Sequence, residues 1–202
     1  FKAKFLQEDF TAIHDFSRHT PGKHTYSVRS SANVEDDASA SFAGQFSTRL
    51  FVEADDLVEA VEETLLSLYQ PSALSYYFEN GISLEAVKLY VILQDMISGD
   101  LSGVYFTANP QGLLNEQLIV VGVGVGSGIV EDKVDTTMVT IHSDDQLSYF
   151  ETSGTSPILT EKQQVELEDM AEKVTDIFGP RMDIEFTFLN DQLYVLQARP
   201  IT

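Results

Sequence analysis

From residue 182 to residue 200 apolar and polar side chains alternate with a period of two, interrupted around Asn190-Asp191, which predicts a β-hairpin. Met182, Ile184, Phe186 and Phe188 share one face of its first strand; Asp183, Glu185 and Thr187 share the other. Elsewhere the period is helical. In residues 55–69 (DDLVEAVEETLLSLY) Leu57, Val58, Val61, Leu65 and Leu68 form one stripe, with acidic residues early, where the helix dipole favours them. PSALSYYFENG predicts a second short helix, with proline at its start and Gly81 past its end. Residues 160–178 (TEKQQVELEDMAEKVTDIF) predict a capped amphipathic helix that stops at Gly179-Pro180. A helical lead-in is expected over residues 1–20, where Phe1, Phe5, Phe10, Ile13 and Phe16 recur at helical spacing before Pro21-Gly22.

Strands are expected between these helices. HTYSVRSS sets Tyr26 and Val28 on one face and Ser27 and Arg29 on the other, and SFAGQFSTRLFVE alternates as a further strand or hairpin. SANVEDDASA, small and acidic, reads as a loop. VKLYVILQDMI and SGVYFTA are nearly continuous apolar runs, which predicts strands buried on both faces. QLIVVGVG, TTMVTIH and QLSYFET complete the set. Paired strands with helices that do not strictly alternate predict an α+β fold.

The register of the last hairpin decides what its polar face carries. A two-residue turn at Asn190-Asp191 pairs Ile184 with Gln197 and turns Gln197 to the hydrophobic face. A three-residue loop, Asn190-Asp191-Gln192, pairs Phe188 with Tyr194, Phe186 with Leu196 and Ile184 with Ala198. The burial pattern selects the second. Glu185 then faces Gln197 and Asp183 faces Arg199, so carboxylate, amide and guanidinium converge on one face. Two readings of that face stand: a solvated outer surface, the usual case, or a site for Mg²⁺ and a nucleotide, since hard cations take such oxygens and Arg pairs with phosphate.

Charge narrows the partners. The formal net charge is −20, from 32 acidic and 12 basic side chains, so nucleic acid and anionic membrane surfaces are not expected as partners. An anionic ligand needs its own cluster among few basic residues, which makes each well-placed Arg informative. Absence of cysteine excludes disulfides and thiolate metal sites. FKAKFLQEDF lacks a signal-peptide shape, and the apolar run at 118–130 is broken by glycine, so a soluble, cytoplasmic protein is expected.

Two further segments invite a phosphate reading. VRSSANVEDDASASFAGQF combines an Arg with small residues that let backbone N–H groups approach a ligand; a flexible acidic loop explains it equally. GVGVGSG at 122–128 fits neither the P-loop nor the Rossmann spacing and is expected to be a Gly-rich strand end and turn. His14, His19, His24 and His142 lack metal-ligand spacing and are expected on the surface or in loops.

VRSSANVEDDASASFAGQF resembles the V-R-S-S-A-x-x-E-D…A-S-F-A-G-Q signature of the nucleotide-binding domain of the phosphoenolpyruvate synthase and pyruvate phosphate dikinase family. LYVILQDMISGDLSGVYFTANP and DIEFTFLNDQLYVLQARPIT resemble that domain's later motifs, in family order, over residues 26–202, with residues 1–25 a helical lead-in. The resemblance implies an ATP-grasp-like α+β fold, with mixed or antiparallel sheets, flanking helices and an incomplete N-terminal lobe. It implies a Mg-ATP-binding lobe that passes a phosphoryl group to a histidine on a separate swivelling domain, and on to pyruvate or a related acceptor such as rifampin or a glucan. By motif position it implies that Arg29 reaches the ATP phosphates, that Gly44 lets backbone approach them, and that Thr48 binds nearby. Gln94 is placed at the adenine edge, Glu185 and Gln197 on Mg²⁺, and Arg199 on the transferring phosphates.

Departures accompany the likeness. The family's opening G-G-K-G segment is missing before Val28-Arg29, and its G-L-G-E loop appears as Gly122-Val123-Gly124-Val125. An excised part of a longer protein is the favoured expectation. A degenerate, non-catalytic nucleotide-binding or regulatory module is the alternative.

Overall fold

A computed structural model describes residues 13, 25–33, 48–112, 115–124, 136–144, 147–153 and 159–201. The lead-in at 1–20 (Ile13 apart), the acidic loop with Gly44, and Val125 lie outside the described residues. The chain divides into two compact units, Phe1–Met96 and Ile97–Thr202.

In the first unit β1 (Thr25–Ala32) pairs antiparallel with β2 (Thr48–Glu53) on one side and β3 (Leu89–Asp95) on the other. Helix α1 (Leu57–Leu66) covers one face: its buried Leu57, Ala60 and Val61 meet Tyr26, Val28 and Val52. Helix α2 (Pro71–Glu79), begun by Pro71 as expected, packs Ala73 and Tyr77 against Ala32 and Val87. The expectation that β3 is buried on both faces fails. Tyr90 and Ile92 are 59% and 48% exposed, because β3 is an edge strand whose α1-remote face is open.

The second unit is a six-stranded antiparallel sheet. Its strands are β4 (Leu101–Phe106), β5 (Glu116–Val123), β6 (Thr136–Asp144), β7 (Leu147–Ser153), β8 (Met182–Leu189) and β9 (Gln192–Pro200), in the order β7-β6-β5-β4-β8-β9. Helix α3 (Glu161–Phe178) precedes β8 and covers one face. Its Leu167, Met170 and Ala171 join Tyr105, Ile119, Val121, Ile141 and the β8 row Met182, Ile184, Phe186 and Phe188 in one buried cluster. The helix opens on a capping box: Gln163 N donates to Thr160 Oγ1, and Thr160 N donates to the Gln163 side chain. Gly179 ends it at φ 111°.

The hairpin adopts parts of both registers. Asn190 and Asp191, at φ 51° and 61°, form a two-residue turn between Leu189 and Gln192, the backbone sign of a type I′ turn. Near the turn Phe188 therefore pairs with Leu193 and Phe186 with Val195, not with Tyr194 and Leu196 as expected. The register then shifts between Glu185 and Phe186, leaving Leu196 as an extra residue in β9. Beyond this bulge the expected pairs hold: Ile184 with Ala198, Glu185 with Gln197 and Asp183 with Arg199. The turn favours the shorter loop, the core favours Ala198 inside, and one inserted residue satisfies both.

Gly103 in β4 is where the sheet admits no side chain. A Cβ there would stand 2.4 Å from the Val120 carbonyl oxygen and 2.6 Å from Cζ of buried Phe186. Gly103→Ala is expected to destabilise the unit by about 2 kcal/mol or more, read from the midpoint of urea unfolding. Thr160→Ala is expected to cost about 1 kcal/mol through loss of the α3 cap, and Thr160→Ser to recover most of it in the same assay.

Candidate functional site

Directly paired residues of an antiparallel ladder project from the same face, and alternate residues of a strand share it. Arg29 pairs with Thr48 on β2 and Ile92 on β3, while Ser27 pairs with Gln94. Arg29, Thr48 and Gln94, expected at a nucleotide from motif position, thus stand together on the face of the three-stranded sheet that α1 leaves open. Arg29 and Gln94 are half-buried and Thr48 is exposed. Ile92 and Tyr90 add exposed apolar surface to the same face. Their exposure escaped the sequence reading because a nearly unbroken apolar strand gives no sign of which face is open. Gly44 lies outside the described residues.

The second candidate face belongs to the six-stranded sheet, on the side away from α3. Asp183, Glu185 and Thr187 alternate along β8 with buried Met182, Ile184, Phe186 and Phe188, and β9 brings Arg199 beside Asp183 and Gln197 beside Glu185. Arg199 donates from Nε and Nη2 to one oxygen, Asp183 Oδ2, at 2.9 and 2.8 Å. Asp183 is 9% exposed. Burial pushes its carboxyl above the ordinary carboxylate range, Arg199 draws it down, and neighbouring Glu185 adds to the rise. The guanidinium is therefore fixed by a carboxylate that needs it.

Two hydroxyls extend this face toward the glycine segment. Ser102, paired with Thr187, donates to the Gly124 carbonyl, and the two hydroxyl oxygens lie 2.7 Å apart. Gly124 (φ 89°) also donates its N–H to the Asp100 carbonyl. The start of GVGVGSG is thus a strand end tied to the candidate face, and the rest of the segment, where the turn was expected, lies outside the described residues. Half-buried Val104 and Val120 line the sheet beside Glu185, so the polar groups border apolar surface.

Among the described residues no group of three or more His, Asp or Glu side chains is arranged to hold a metal. Two adjacent oxygen donors, Glu185 and Gln197, suit a Mg²⁺ that arrives on phosphates and keeps several waters, since such ions take one or two protein carboxylates. His142 departs from expectation. It is half-buried within β6, with Nδ1 3.4 Å from Glu116 Oε1.

A cavity of about 450 Å³ opens on the other side of this sheet, beneath α3. Glu168, Glu172 and Asp176 line it together with Tyr105 and Gln117. Three carboxylates repel a polyphosphate, and none of the expected residues reaches it. The candidate site is therefore the β8–β9 sheet face and not this cavity.

Comparison with known proteins gives the family. Residues 4–155 and 138–202 match the family described as pyruvate phosphate dikinase, AMP/ATP-binding domain. A rifampicin phosphotransferase of Streptomyces sp is 30% identical over 204 residues, covering 89% of this chain and 24% of that protein. A probable phosphoenolpyruvate synthase of Methanocaldococcus jannaschii is 32% identical, covering 88% of this chain and 17% of that one. For a phosphoenolpyruvate synthase of Pyrococcus furiosus the figures are 32%, 87% and 26%. The solved D-alanine-D-alanine ligase of Helicobacter pylori matches 96% of this chain and 47% of its own, with a TM-score of 0.49 and 10% identity. The chain spans about a quarter, or less, of the length of these curated relatives. By the extent of the family match, the chain belongs to the AMP/ATP-binding domain family of pyruvate phosphate dikinase.

Proposed function

We propose that this chain is the Mg-ATP-binding part of a dikinase-type phosphotransferase acting in the cytoplasm. In this reading it supplies a phosphoryl group to a histidine on a separate domain, which delivers it to pyruvate or a related acceptor. The observation that carries the proposal is the β8–β9 polar face. A guanidinium anchored by buried Asp183 stands next to an oxygen-donor pair, Glu185 and Gln197, in a chain of net charge −20. So acidic a protein gains little from a fixed Arg on an open sheet face unless an anion comes to it.

Phosphoryl transfer asks a protein mainly to position oxygens and to neutralise charge that develops on them. Glu185 and Gln197 would hold Mg²⁺, which would supply positive charge to offset that of the phosphates. Arg199, oriented by Asp183, would present its planar donors to the transferring phosphates. On the three-stranded sheet Arg29 would meet phosphate oxygens, Gly44 and Thr48 would line their approach, and Gln94 would meet the adenine edge. The named relatives are a rifampicin phosphotransferase and phosphoenolpyruvate synthases, so the acceptor is assigned to parts of those proteins that this chain does not match. Among the described residues no helix is long and apolar enough to cross a membrane.

Calorimetric titration of Mg-ATP tests the proposal. The chain is expected to bind, and Glu185→Gln to weaken binding about tenfold in Mg²⁺ while changing little in its absence. Arg199→Lys is expected to lose a comparable factor, because an ammonium cannot reproduce two donors on one carboxylate oxygen. Asp183→Asn is expected to weaken ATP binding while leaving the fold intact, since it frees Arg199 and also removes a buried charge. Equal affinities across the series would overturn the assignment. Nucleotide binding without transfer, in a protein that holds the swivelling histidine domain, would favour the non-catalytic module.

A further inference from the structure

Ser27 lies on the same face of the three-stranded sheet as Arg29 and Gln94, and the proposed function leaves its hydroxyl unused. It is 5% exposed, yet its Oγ has no hydrogen-bond partner among the described residues. A buried hydroxyl left unpaired costs free energy that an alanine in the same place would not. Its position explains why such a group would be kept. Ser27 is the direct cross-strand partner of Gln94, and Arg29 follows two residues along the same face, about 7 Å away at strand rise.

The other flank of Ser27 is shaped to match. The β1–β2 ladder pairs Tyr26 with Val52 and Val28 with Arg49, so it passes over Ser27 and bulges at Leu50 and Phe51. Phe51 takes φ 56°, a left-handed conformation that a bulky residue holds only at some cost. The bulge leaves no β2 residue in register with Ser27. Backbone strain of this kind is concentrated at ligand sites.

We propose that the Ser27 hydroxyl is a second base-reading group: it completes its hydrogen bonding only when a nucleotide is bound, on the 6-amino edge of adenine beside Gln94. A hydroxyl both donates and accepts, so it can accept from an exocyclic amine while its own proton turns to a neighbouring acceptor. The inference rests on the reading of this chain as an ATP-binding domain and adds a specificity-determining residue to it.

The test compares wild type and Ser27→Ala by calorimetric titration with Mg-ATP and with Mg-purine riboside triphosphate, which lacks the 6-amino group, and by thermal melts without nucleotide. Ser27→Ala is expected to melt at the wild-type temperature or above, because it removes an unpaired buried hydroxyl. It is expected to bind ATP about five- to tenfold more weakly, the worth of one hydrogen bond, and to bind the 6-unsubstituted analogue as wild type does. Ser27→Cys, nearly isosteric and a weak hydrogen-bonding group, should fall between the two for ATP. Unchanged ATP affinity in Ser27→Ala, or an equal loss with both nucleotides, overturns the inference and leaves the ATP-binding reading standing. Wild-type protein that binds neither nucleotide overturns that reading and this inference together.

Discussion

Strand β8 has to serve two environments at once, and the rest of the second unit is arranged around that requirement. Its even-numbered side chains, Met182 to Phe188, are each at most 1% exposed beneath α3. The residues between them therefore cannot turn inward, and Asp183, Glu185 and Thr187 are held on the opposite face as rigidly as the core is packed. Side chains on a strand this confined are placed by packing, not by their own hydrogen bonds. Such placement suits a site that must present donors and acceptors at fixed spacing before a ligand arrives.

Electrostatics work against that placement and are met locally. Burial and the neighbouring Glu185 both disfavour a charged Asp183, and Arg199 answers with two donors on a single oxygen. The pair holds the Arg199 guanidinium in one orientation, in a molecule whose acidic residues outnumber basic ones by 32 to 12. A fixed positive group in a negative surround attracts anions at short range and leaves the wider surface repulsive.

The sequence made much of this legible, unevenly. The facing of Glu185 with Gln197 and of Asp183 with Arg199 followed from burial alone, because one-residue slips in a period-two pattern are so costly. The tip of the same hairpin did not follow. Asn190-Asp191 prefers the tight turn, and nothing in LYVLQ announces a bulge, since neither glycine nor an interruption of polarity marks Leu196. The open face of β3 was hidden for a related reason: Tyr90 and Ile92 look like core until the strand order shows that β3 is an edge. Ser27 carried no signal at all in HTYSVRSS, for an unpaired hydroxyl is a property of surroundings and not of composition. The helices at 57–66 and 161–178 were legible because their apolar stripes, and the cap of the second, are local.

The bulge at Leu196 acts as a slip joint. On the turn side, the hairpin obeys the preferences of Asn190 and Asp191; on the other side, it obeys Ile184 and Ala198, and neither half imposes its count on the other. Drift in the turn, by substitution or by a change of one residue in its length, has a place to be absorbed before it reaches Gln197 and Arg199. A working face built next to such a joint is insulated from the most changeable part of its own hairpin, and its geometry can persist while the loop beyond it varies.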